Sequence, residues 1–422
     1  MTANPEVVIV GGGLAGLAAA RTLVAQGIPT QLLEASADVG GRVATDEVEG
    51  FRLDRGFQVL LDSYPEARTA LDLGALDLRA FAPGALVRRG RGFGRIADPW
   101  RDPVAGVRSL VSGVFTPGDA WRMMRLRHDA LRAVDTAPAA MDVTTARALA
   151  DRGFSDRAVE GFFKPFFGGV FLDAQLAAPA HWFEFLFAMF ATGRATLPAD
   201  GMRAIPRQLA AALPAGTVRT GAKVRLARPG RVELADGEVL SPRAVIVATD
   251  ARALALLVPG TRVPGWNGCV TLYWAAERSP VAEPVLVLEG NARGGPVSHL
   301  CVPSDVAPAY APAGAALVSA TMVGTPGQAD AELDRAARAQ LAGWFGEATV
   351  RGWRLLRAVR VPHSLPRVPA GLVPDRAVRL GEGLYASGDH LETPSINGAL
   401  RSGRRAAEAL LADWAGQRGA VA

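Results

Sequence analysis

The stretch VVIVGGGLAGLAAA, from Val7 to Ala20, constrains the fold of this chain more than any other part of the sequence. Its first four residues, Val7 to Val10, have the branched apolar composition of a strand that is buried on both faces. The three glycines that follow permit a tight turn, and the Ala-rich run from Leu14 to Ala25 predicts a helix. These residues therefore predict a strand, a glycine turn and a helix, which is the first half of a βαβ unit.

Gly11, Gly13 and Gly16 in this stretch match the pattern G-x-G-x-x-G. The first glycine permits the turn, the second lets the backbone approach a diphosphate, and the third lets the helix pack closely on the strand. The N–H groups at the helix N-terminus then face the diphosphate with partial positive charge. A second predicted strand, Pro29 to Leu33, ends at Glu34, where a βαβ unit places a carboxylate for ribose hydroxyls. The sequence therefore predicts a dinucleotide site, and an incidental strand-end glutamate is the less favoured interpretation.

The residues after Glu34 make this prediction more specific. Glu34 followed by Gly40-Gly41-Arg42 resembles the extended signature of FAD proteins in the flavin-containing amine oxidase and phytoene desaturase superfamily, which includes protoporphyrinogen oxidase-like proteins. Two adjacent glycines let the backbone run against a cofactor, and an arginine can neutralise a diphosphate. The resemblance implies FAD rather than NAD, held without a covalent bond.

Composition argues against several other classes of protein. The net charge of +5 is small for 422 residues, and no basic run is interleaved with aromatic residues, so we expect no nucleic-acid partner. Two cysteines and the lack of a recognisable secretory leader indicate a cytoplasmic protein. The five histidines show no metal-ligand spacing, so no metal is expected, and neither a P-loop nor a G-x-S-x-G motif occurs.

A second element of the resemblance lies between Gly50 and Leu60, where the sequence predicts a strand that turns at Gly56. In the superfamily this region carries an Asp-x-Gly element that passes close to the flavin. The resemblance therefore implies that Gly56, Phe57 and Gln58 neighbour the flavin, and an ordinary strand and turn is nearly as well supported.

Residues 66–190 predict helices separated by Pro and Gly breaks, without a strong strand signal. Two arginine-rich pieces occur there, Val87–Gly92 and Trp121–Arg127. A solvated helix face is the favoured interpretation of such charges. Peripheral contact with anionic lipid is the alternative that the resemblance implies.

The most aromatic run of the chain, Gly161–Phe171, is followed closely by His181–Phe190. Packing in the core and the wall of an apolar pocket explain the first run equally well, and the resemblance favours the pocket. Phe166 and Phe167 are therefore candidate substrate-pocket residues.

The segment Gly268–Pro366 alternates apolar and polar residues and predicts a mixed or antiparallel sheet that carries the substrate pocket. Within it Tyr273 and Trp274 are candidate pocket residues, although packing within the sheet explains them as well.

The most specific motif of the resemblance is the last one, Gly388-Asp389 before the segment PSINGALRSG that opens a final helix. In the superfamily this aspartate accepts a hydroxyl of the ribityl chain, so Asp389 inherits that role. The helix that begins near Ile396 directs its N-terminal N–H groups at the flavin pyrimidine, where they would stabilise the negative charge of the reduced state. A valine at the place of Val224 lies against adenine in the same superfamily.

The motifs and the resemblance together give one set of candidate cofactor-binding residues. They are Gly11, Gly13, Leu14, Ala15, Gly16, Glu34, Ala35, Gly41, Arg42, Gly56, Phe57, Gln58, Val224, Gly388, Asp389, Ser395 and Ile396.

These elements predict an α/β fold with two domains. A Rossmann-type FAD-binding domain is assembled from residues 1–75, 196–260 and 375–422. A mixed α+β substrate domain comprises residues 76–195 and 261–374, with helices first and a sheet second. We expect the flavin at their junction.

The resemblance implies an oxidoreductase in which the flavin accepts a hydride equivalent, with oxygen or a quinone as electron acceptor. Superfamily amine oxidases usually place an aromatic residue where this chain has Ser395, which is also a pocket candidate, and a lysine on a strand comparable to Val270–Trp274. Both are absent here, so we expect an apolar substrate and desaturase-like chemistry. The alternatives are an amine oxidase, with Tyr385, Tyr273 or Trp274 in the missing cage, and a flavin-binding redox sensor without turnover.

Overall fold

The fold is a mixed α/β arrangement of five sheets and their covering helices, seen in a computed structural model that describes residues 5–102, 106, 109, 113–134, 143–291, 294–371 and 377–419. In chain order the strands are β1 (Val7–Val10), β2 (Thr30–Leu33), β3 (Thr45–Val48), β4 (Phe51–Asp54), β5 (Leu60–Leu61), β6 (Leu78–Ala80), β7 (Gly84–Arg89), β8 (Gly92–Ala97), β9 (Ala195–Pro198), β10 (Val218–Arg219), β11 (Val224–Arg228), β12 (Arg231–Leu234), β13 (Val239–Leu240), β14 (Ala244–Val247), β15 (Trp266–Ala276), β16 (Leu286–Glu289), β17 (His299–Cys301), β18 (Ala316–Val323), β19 (Arg354–Pro366), β20 (Arg379–Gly381) and β21 (Leu384–Ala386).

The helices cover these sheets. They are α1 (Leu14–Ala25), α2 (Pro65–Ala70), α3 (Pro117–Ala133), α4 (Thr145–Asp151), α5 (Asp156–Ala158), a π-helix (Val159–Phe163), α6 (Lys164–Phe171), α7 (Ala180–Thr192), α8 (Ala204–Ala211), α9 (Ala251–Leu257), α10 (Pro303–Val306), α11 (Asp330–Phe345), α12 (Glu347–Arg351) and α13 (Ile396–Gly419), with short 3₁₀ turns at Pro308–Tyr310 and Asp389–Leu391.

A six-stranded sheet in the order β10-β2-β1-β14-β21-β20 contains the glycine-rich opening stretch. All of its strand pairs are parallel except β20–β21. The side chains of β1 and β14 are all buried. Both faces of a parallel sheet are covered, and for this reason the two strands consist of apolar residues throughout. The strands come from three separate parts of the chain, which this sheet joins.

Helix α1 spans the residues that the sequence predicts. It packs against β1 so closely that a Cβ at Gly16 would collide with the carbonyl oxygen of Gly11. This close approach is the steric requirement expected for the third glycine of the motif.

A seven-stranded sheet in the order β19-β15-β18-β17-β16-β7-β8 forms the second large layer. Only the pair β16–β7 is parallel. The predicted sheet between residues 268 and 366 is therefore confirmed. However, residues 66–190, which show no strong strand signal in the sequence, contain β6, β7 and β8 as well as helices. Glycine and arginine in GALVRRGRGFGRIA weaken the local strand signal, and pairing with β16 stabilises the hairpin.

The segment from Val218 to Arg228 forms two separate strands. Val218 and Arg219 extend the parallel sheet, whereas Val224–Arg228 belongs to the separate sheet β11-β12-β13. The chain changes direction between them at Gly221, whose φ is +67°.

The two arginine-rich pieces have different structures. Val87–Gly92 is part of the β7–β8 hairpin, where the Arg88 side chain is buried and donates to the Gly343 carbonyl oxygen. Trp121–Arg127 lies on α3, where Trp121 and Met124 are about half exposed. None of the helices in the described part of the chain is long and apolar enough to cross a membrane.

Candidate functional site

A cavity of about 800 Å³ opens at the carboxyl ends of β1, β2 and β14, where Val10, Leu33 and Ala248 form part of its wall. In an open parallel sheet this edge is the usual place for a ligand. Of the predicted cofactor-binding residues, every one except Gly16 lines this cavity. Gly16 instead lies beneath the turn and supports it. The structure therefore brings together residues from three distant parts of the chain.

The glycine turn leaves open space for a ligand at Gly13. A Cβ at Gly13 would meet no protein atom within 4 Å, although the residue lines the cavity. Gly13 is the N-cap of α1, and no side chain caps this helix end. The first N–H groups of a helix have no partner within the helix, so they are available to an anionic ligand.

Glu34 occupies the end of β2 as predicted and holds the turn. Its carboxylate accepts hydrogen bonds from the Gly12 N–H at 2.6 Å and from the backbone and side chain of Ser36 at 2.8 and 2.6 Å. A carboxylate has about four lone pairs, so it can accept further hydrogen bonds from ligand hydroxyls. The open glycine turn, the uncapped helix end and this carboxylate fit a dinucleotide.

Arg42 and Asp389 form an ion pair in the wall of the cavity. The guanidinium donates to both carboxylate oxygens, at 2.5 and 2.9 Å, and to the Ser364 carbonyl oxygen at 2.7 Å. Burial favours the neutral guanidinium, but the charge and hydrogen bonds of Asp389 outweigh burial and raise the pKa of Arg42. The sequence assigns these residues to different parts of FAD, and the structure places them in direct contact.

The loop Gly56-Phe57-Gln58 borders the same cavity. The Gln58 amide nitrogen donates to the Arg42 carbonyl oxygen at 2.9 Å, which ties the loop to the ion pair. The amide oxygen of Gln58 is buried and has no partner among the described residues. Since buried polar atoms are nearly always hydrogen-bonded, this atom indicates a place for a ligand donor.

Asp54, just before this loop, is a fully buried carboxylic acid that the sequence analysis did not single out. Its carboxyl oxygens accept from Thr45 at 2.5 Å, from Tyr310 at 2.8 Å and from the Met202 N–H at 3.1 Å. Burial raises its pKa to about 6, and the hydrogen bonds from Thr45, Tyr310 and Met202 act against that rise. No pattern in β4 marks this acid as buried, because the strand has the sequence FRLD and also contains Arg52.

Ser395 lines the cavity at the start of α13. Its hydroxyl oxygen accepts from the Gly398 N–H at 3.0 Å, so Ser395 acts as the N-cap of the helix. The helix therefore begins at Ile396 with its N-terminus at the cavity, as the closing motif predicts.

A second cavity of about 570 Å³ adjoins the first and is mostly apolar. The two share a wall of side chains that line both: Phe57, Val59, Phe166, Val170, Phe190 and Leu286. Phe167 lines the smaller cavity alone. The aromatic run of α6 thus provides both core packing and the cavity wall.

Tyr273 and Trp274 line neither cavity, so their assignment to a substrate pocket is corrected by the structure. They belong to β15, the second strand of the seven-stranded sheet, and adjacent side chains point to opposite faces. The Tyr273 hydroxyl donates to the Asp54 carbonyl oxygen at 2.9 Å, beyond the cavity. The Trp274 indole donates to Asp334 at 2.6 Å, on the face that α11 covers.

His299 is another residue of the site that sequence reasoning missed. It lies in β17, lines the larger cavity, and has its ring centre 5.4 Å from that of Phe57. Burial lowers its pKa to about 4, so the ring is neutral at ordinary pH. No motif marks this histidine, because strand pairing alone brings it to the cavity.

The chain matches the family of flavin containing amine oxidoreductases over residues 14–411. Polyamine oxidase 1 from Oryza sativa subsp. japonica is 29% identical over 283 residues, which cover 56% of this chain and 50% of that protein. Carotenoid 3,4-desaturase from Haloarcula japonica is 47% identical over 51 residues, 12% of this chain and 10% of that protein. The chain spans at most half the length of the curated relatives it matches.

The fold is also that of solved structures. A putative protoporphyrinogen oxidase from Exiguobacterium sp. 255-15 superposes with a TM-score of 0.72 at 18% sequence identity, covering 97% of this chain and 99% of that one. This similarity concerns the fold, and the family match covers nearly the whole sequence. The chain is therefore a member of the flavin-containing amine oxidoreductase family.

Proposed function

We propose that this enzyme takes a hydride equivalent from an apolar small molecule and leaves a carbon–carbon double bond, as a desaturase does. The observation that carries the proposal is the apolar cavity of about 570 Å³ that shares a wall with the larger cavity. Cavities of roughly 300–1,000 Å³ hold small-molecule ligands. Each large apolar group buried there contributes about 1.5–3 kcal/mol, so selection needs no charged anchor.

The proposal assigns non-covalent FAD to the larger cavity. The ribose hydroxyls would meet Glu34, the diphosphate the turn at Gly13, and the ribityl chain Asp389. Arg42 would supply positive charge to the diphosphate end. Support comes from the open space at Gly13 and from the two carboxylates, Glu34 and Asp389, that line the cavity. Acid precipitation should release the flavin into the supernatant, and a pellet that stays yellow would contradict a non-covalent bond.

FAD supplies the redox chemistry, because it accepts the hydride equivalent. The residues of the chain have three other tasks. The phenylalanine side chains of the shared wall hold the substrate and exclude water. The N-terminus of α13, capped by Ser395, stabilises negative charge beside Ile396. The hydrogen bonds of Asp54 fix the position of β4 and of the loop that follows it.

We further propose the domain division made from the sequence, with residues 1–75, 196–260 and 375–422 binding FAD and residues 76–195 and 261–374 binding substrate. In support, each of the three segments proposed for FAD binding contributes strands to the six-stranded sheet. Both segments proposed for substrate binding contribute strands to the seven-stranded sheet. Residues 375, 376 and 420–422 lie outside the described part of the chain.

The charges around the smaller cavity disfavour an amine. Asp98 is its one acidic lining residue within the described part of the chain, and it lies 3.5 Å from Arg101. Arg127 and Arg194 also line this cavity. A substrate ammonium would therefore face a surplus of positive charge, which raises the cost of its burial.

Amine oxidation remains the second candidate function, because polyamine oxidase 1 from Oryza sativa subsp. japonica is among the relatives. The aromatic cage expected of that chemistry has little support. Tyr273, Trp274 and Tyr385 line neither cavity, and the Tyr385 hydroxyl donates to Asp413 at 2.7 Å. Lys164, which forms an ion pair with Glu160, also lies outside both linings.

A flavin-binding redox sensor without turnover would need no substrate cavity, so the adjoining apolar cavity counts against that alternative. The proposed electron acceptor is oxygen or a quinone. The proposed location is the cytoplasm, and peripheral contact with lipid is an alternative for the exposed Trp121 and Met124 on α3.

Anaerobic stopped-flow reduction of the bound flavin tests the proposal. The panel contains isoprenoid polyenes with saturated carbon–carbon bonds, and primary amines and polyamines of similar length. We expect bleaching by a polyene and none by the amines. Rapid bleaching by a simple amine, without any by a polyene, would make the protein an amine oxidase. Absence of bleaching by the whole panel would favour the redox sensor.

A further inference from the structure

His299 is a buried histidine in the wall of the larger cavity, and one of its ring nitrogens has no partner. Only 5% of the residue is exposed. Its Nε2 atom makes no hydrogen bond within the described part of the chain. Because buried polar atoms are nearly always hydrogen-bonded, an unpaired ring nitrogen at a cavity indicates that a ligand atom completes it.

Ser298 lies beside the other ring nitrogen of His299. Its Oγ atom lies 3.0 Å from the Thr321 carbonyl oxygen and 3.1 Å from Nδ1 of His299. The carbonyl oxygen can only accept, whereas Nδ1 donates or accepts according to the tautomer. When the serine hydroxyl donates its single proton to Thr321, Oγ accepts from Nδ1–H and Nε2 has a free lone pair, and this is the tautomer that a base requires.

Burial keeps this ring neutral. It lowers the pKa of His299 to about 4, and no charged side chain contributes to that shift. The titratable neighbour Cys269, which lines the same cavity, stays a neutral thiol because burial raises its pKa to about 11. The imidazole is therefore uncharged throughout the neutral pH range.

Gly169 on α6 leaves the space that the imidazole fills. A Cβ at this position would lie 2.9 Å from Nδ1 and 3.1 Å from Cε1, closer than side-chain atoms normally approach. On another side Phe57, which lines both cavities, has its ring centre 5.4 Å away. The imidazole is thus held next to the wall that the two cavities share.

We propose that His299 is the general base of the dehydrogenation and that its Nε2 atom takes the substrate proton. The assignment rests on the proposed function. Two C–H bonds on adjacent carbons break and a C=C bond forms. One hydrogen leaves as a hydride equivalent and reduces FAD by two electrons, and the other leaves as a proton to Nε2. Removal of this proton needs an acceptor, and the unpaired Nε2 atom is the one that the proposal assigns.

A weakly basic imidazole is sufficient for this step. Loss of a hydride equivalent leaves positive charge on the neighbouring carbon, and a C–H bond beside that charge is strongly acidic. His299 therefore suits proton removal during dehydrogenation of a hydrocarbon chain.

The first test compares His299→Leu, His299→Gln and wild type as FAD-loaded enzymes. With the polyene that bleaches the wild type, we expect flavin reduction to slow at least about 100-fold in both variants, because neither side chain accepts a proton at neutral pH. Flavin content and melting temperature should stay close to wild type. A rate within threefold of wild type in either variant, or flavin loss in both, would overturn the general-base role.

Ser319→Ala is the matched control, because Ser319 is buried in β18 and lies outside both cavity linings. It should reduce at the wild-type rate. Slowing equal to that of His299→Leu would show that any change in this sheet impairs the reaction and would overturn the assignment.

A second readout needs no turnover. The protein is labelled with ¹⁵N-histidine and studied by NMR. The imidazole signal that is present in the wild-type spectrum and missing from the spectrum of His299→Gln belongs to His299. We expect the neutral Nδ1–H tautomer from pH 5.5 to 8, with no titration in that range. A proton on Nε2, or titration near pH 6.5, overturns the proposal. If no polyene reduces the wild-type flavin, the proposed function fails, and this measurement still decides whether Nε2 is a free base.

Discussion

Arg42 and Asp389 are 347 positions apart in the sequence and form a bidentate ion pair, with N–O distances of 2.5 and 2.9 Å. The aspartate side chain is 5% exposed and the arginine side chain 34% exposed. The pair joins the loop after β2 to the residues before α13, at the wall of the larger cavity. Both residues therefore help to bring the first and last motifs of the chain to one site.

Replacing Asp389 with alanine should weaken FAD binding. The change removes a buried acceptor proposed for the ribityl chain and leaves the Arg42 guanidinium with the Ser364 carbonyl oxygen as its one hydrogen-bond acceptor in the described structure. Loss of a buried hydrogen bond costs about 1–3 kcal/mol, which corresponds to a dissociation constant for FAD that is roughly ten- to hundredfold larger. Titration of the flavin-free protein with FAD, followed by flavin fluorescence, measures this dissociation constant.

Asp413→Ala is the matched control for this variant. Asp413 also pairs with an arginine, Arg379, at 2.9 Å and lies on α13 away from the cavity. It should leave the FAD dissociation constant unchanged. Equal affinities of Asp389→Ala and wild type would mean that the closing motif does not face the cofactor.

Replacing Gly13 with valine should abolish FAD binding while preserving the fold. The added side chain meets no protein atom within 4 Å of its Cβ and enters the space assigned to the diphosphate. Its φ of −74° is also ordinary for a residue with a side chain. The flavin-free variant should melt within a few degrees of flavin-free wild type, and the purified variant should be colourless.

Gly16→Val provides the contrast, because its Cβ would collide with the Gly11 carbonyl oxygen. This variant should lose stability even without flavin. Full flavin occupancy in Gly13→Val would contradict the placement of the diphosphate.

Replacing Met123 with aspartate should impair turnover without loss of FAD. Met123 lies on α3 and lines the smaller cavity but not the larger one. A buried charge in an apolar cavity is costly, and it repels an apolar ligand. We expect flavin content near that of wild type and at least a tenfold slower anaerobic bleaching by the polyene substrate.

Leu131→Asp serves as the control, since Leu131 is exposed on the same helix and lies outside both linings. Phe167 is unsuitable for this test, because it is 1% exposed and an aspartate there would unfold the surrounding core. Unchanged bleaching in Met123→Asp would mean that the smaller cavity is not the substrate site.

The buried carboxyl of Asp54 should make stability fall as the pH rises from about 4 to 6. Burial raises its pKa from 3.8 to about 6, so between these values the folded protein keeps the proton and the unfolded chain has lost it. Stability falls with pH wherever the folded state binds more protons. The contribution of the protonated Asp54 to the free energy of unfolding is about 3 kcal/mol. It is fully present below about pH 4 and is lost as the pH rises through 6.

Asp54→Asn tests this because an amide does not titrate there. The free energy of unfolding of the flavin-free variant, minus that of flavin-free wild type, should increase by about 3 kcal/mol between pH 4 and 7. Denaturant unfolding at several pH values measures the difference. A difference that stays constant with pH would show that Asp54 is ionised in the folded protein throughout this range.

Local sequence was sufficient to find many of the residues that line the larger cavity. The glycine pattern around Gly13, the carboxylate Glu34 and the closing Gly388-Asp389 motif were recognisable because each depends on backbone geometry within a few residues. The same local rules predicted β1 and α1 with their correct bounds. The Ser395 N-cap follows from a short-range contact too, although its capping role became clear only in the structure.

Contacts between distant residues decided the rest. β7 and β8 have weak local strand signals and form because β16 pairs with them. Tyr273 and Trp274 were predicted in the pocket, yet the faces of β15 direct one toward Asp54 and the other toward Asp334. Sequence alone does not indicate the hairpin or these two contacts, because the environment of a strand residue depends on which elements cover the two faces of its sheet.

The sequence by itself determined that the chain carries a dinucleotide turn, a buried βαβ strand and an arginine and an aspartate in motifs at its two ends. Only the tertiary structure decided that Arg42 contacts Asp389, that Asp54 is a buried acid and that His299 borders the cavity. The physical reason is range: turns and helix ends depend on neighbours in the chain, whereas burial, ion pairing and proton affinity depend on neighbours in space.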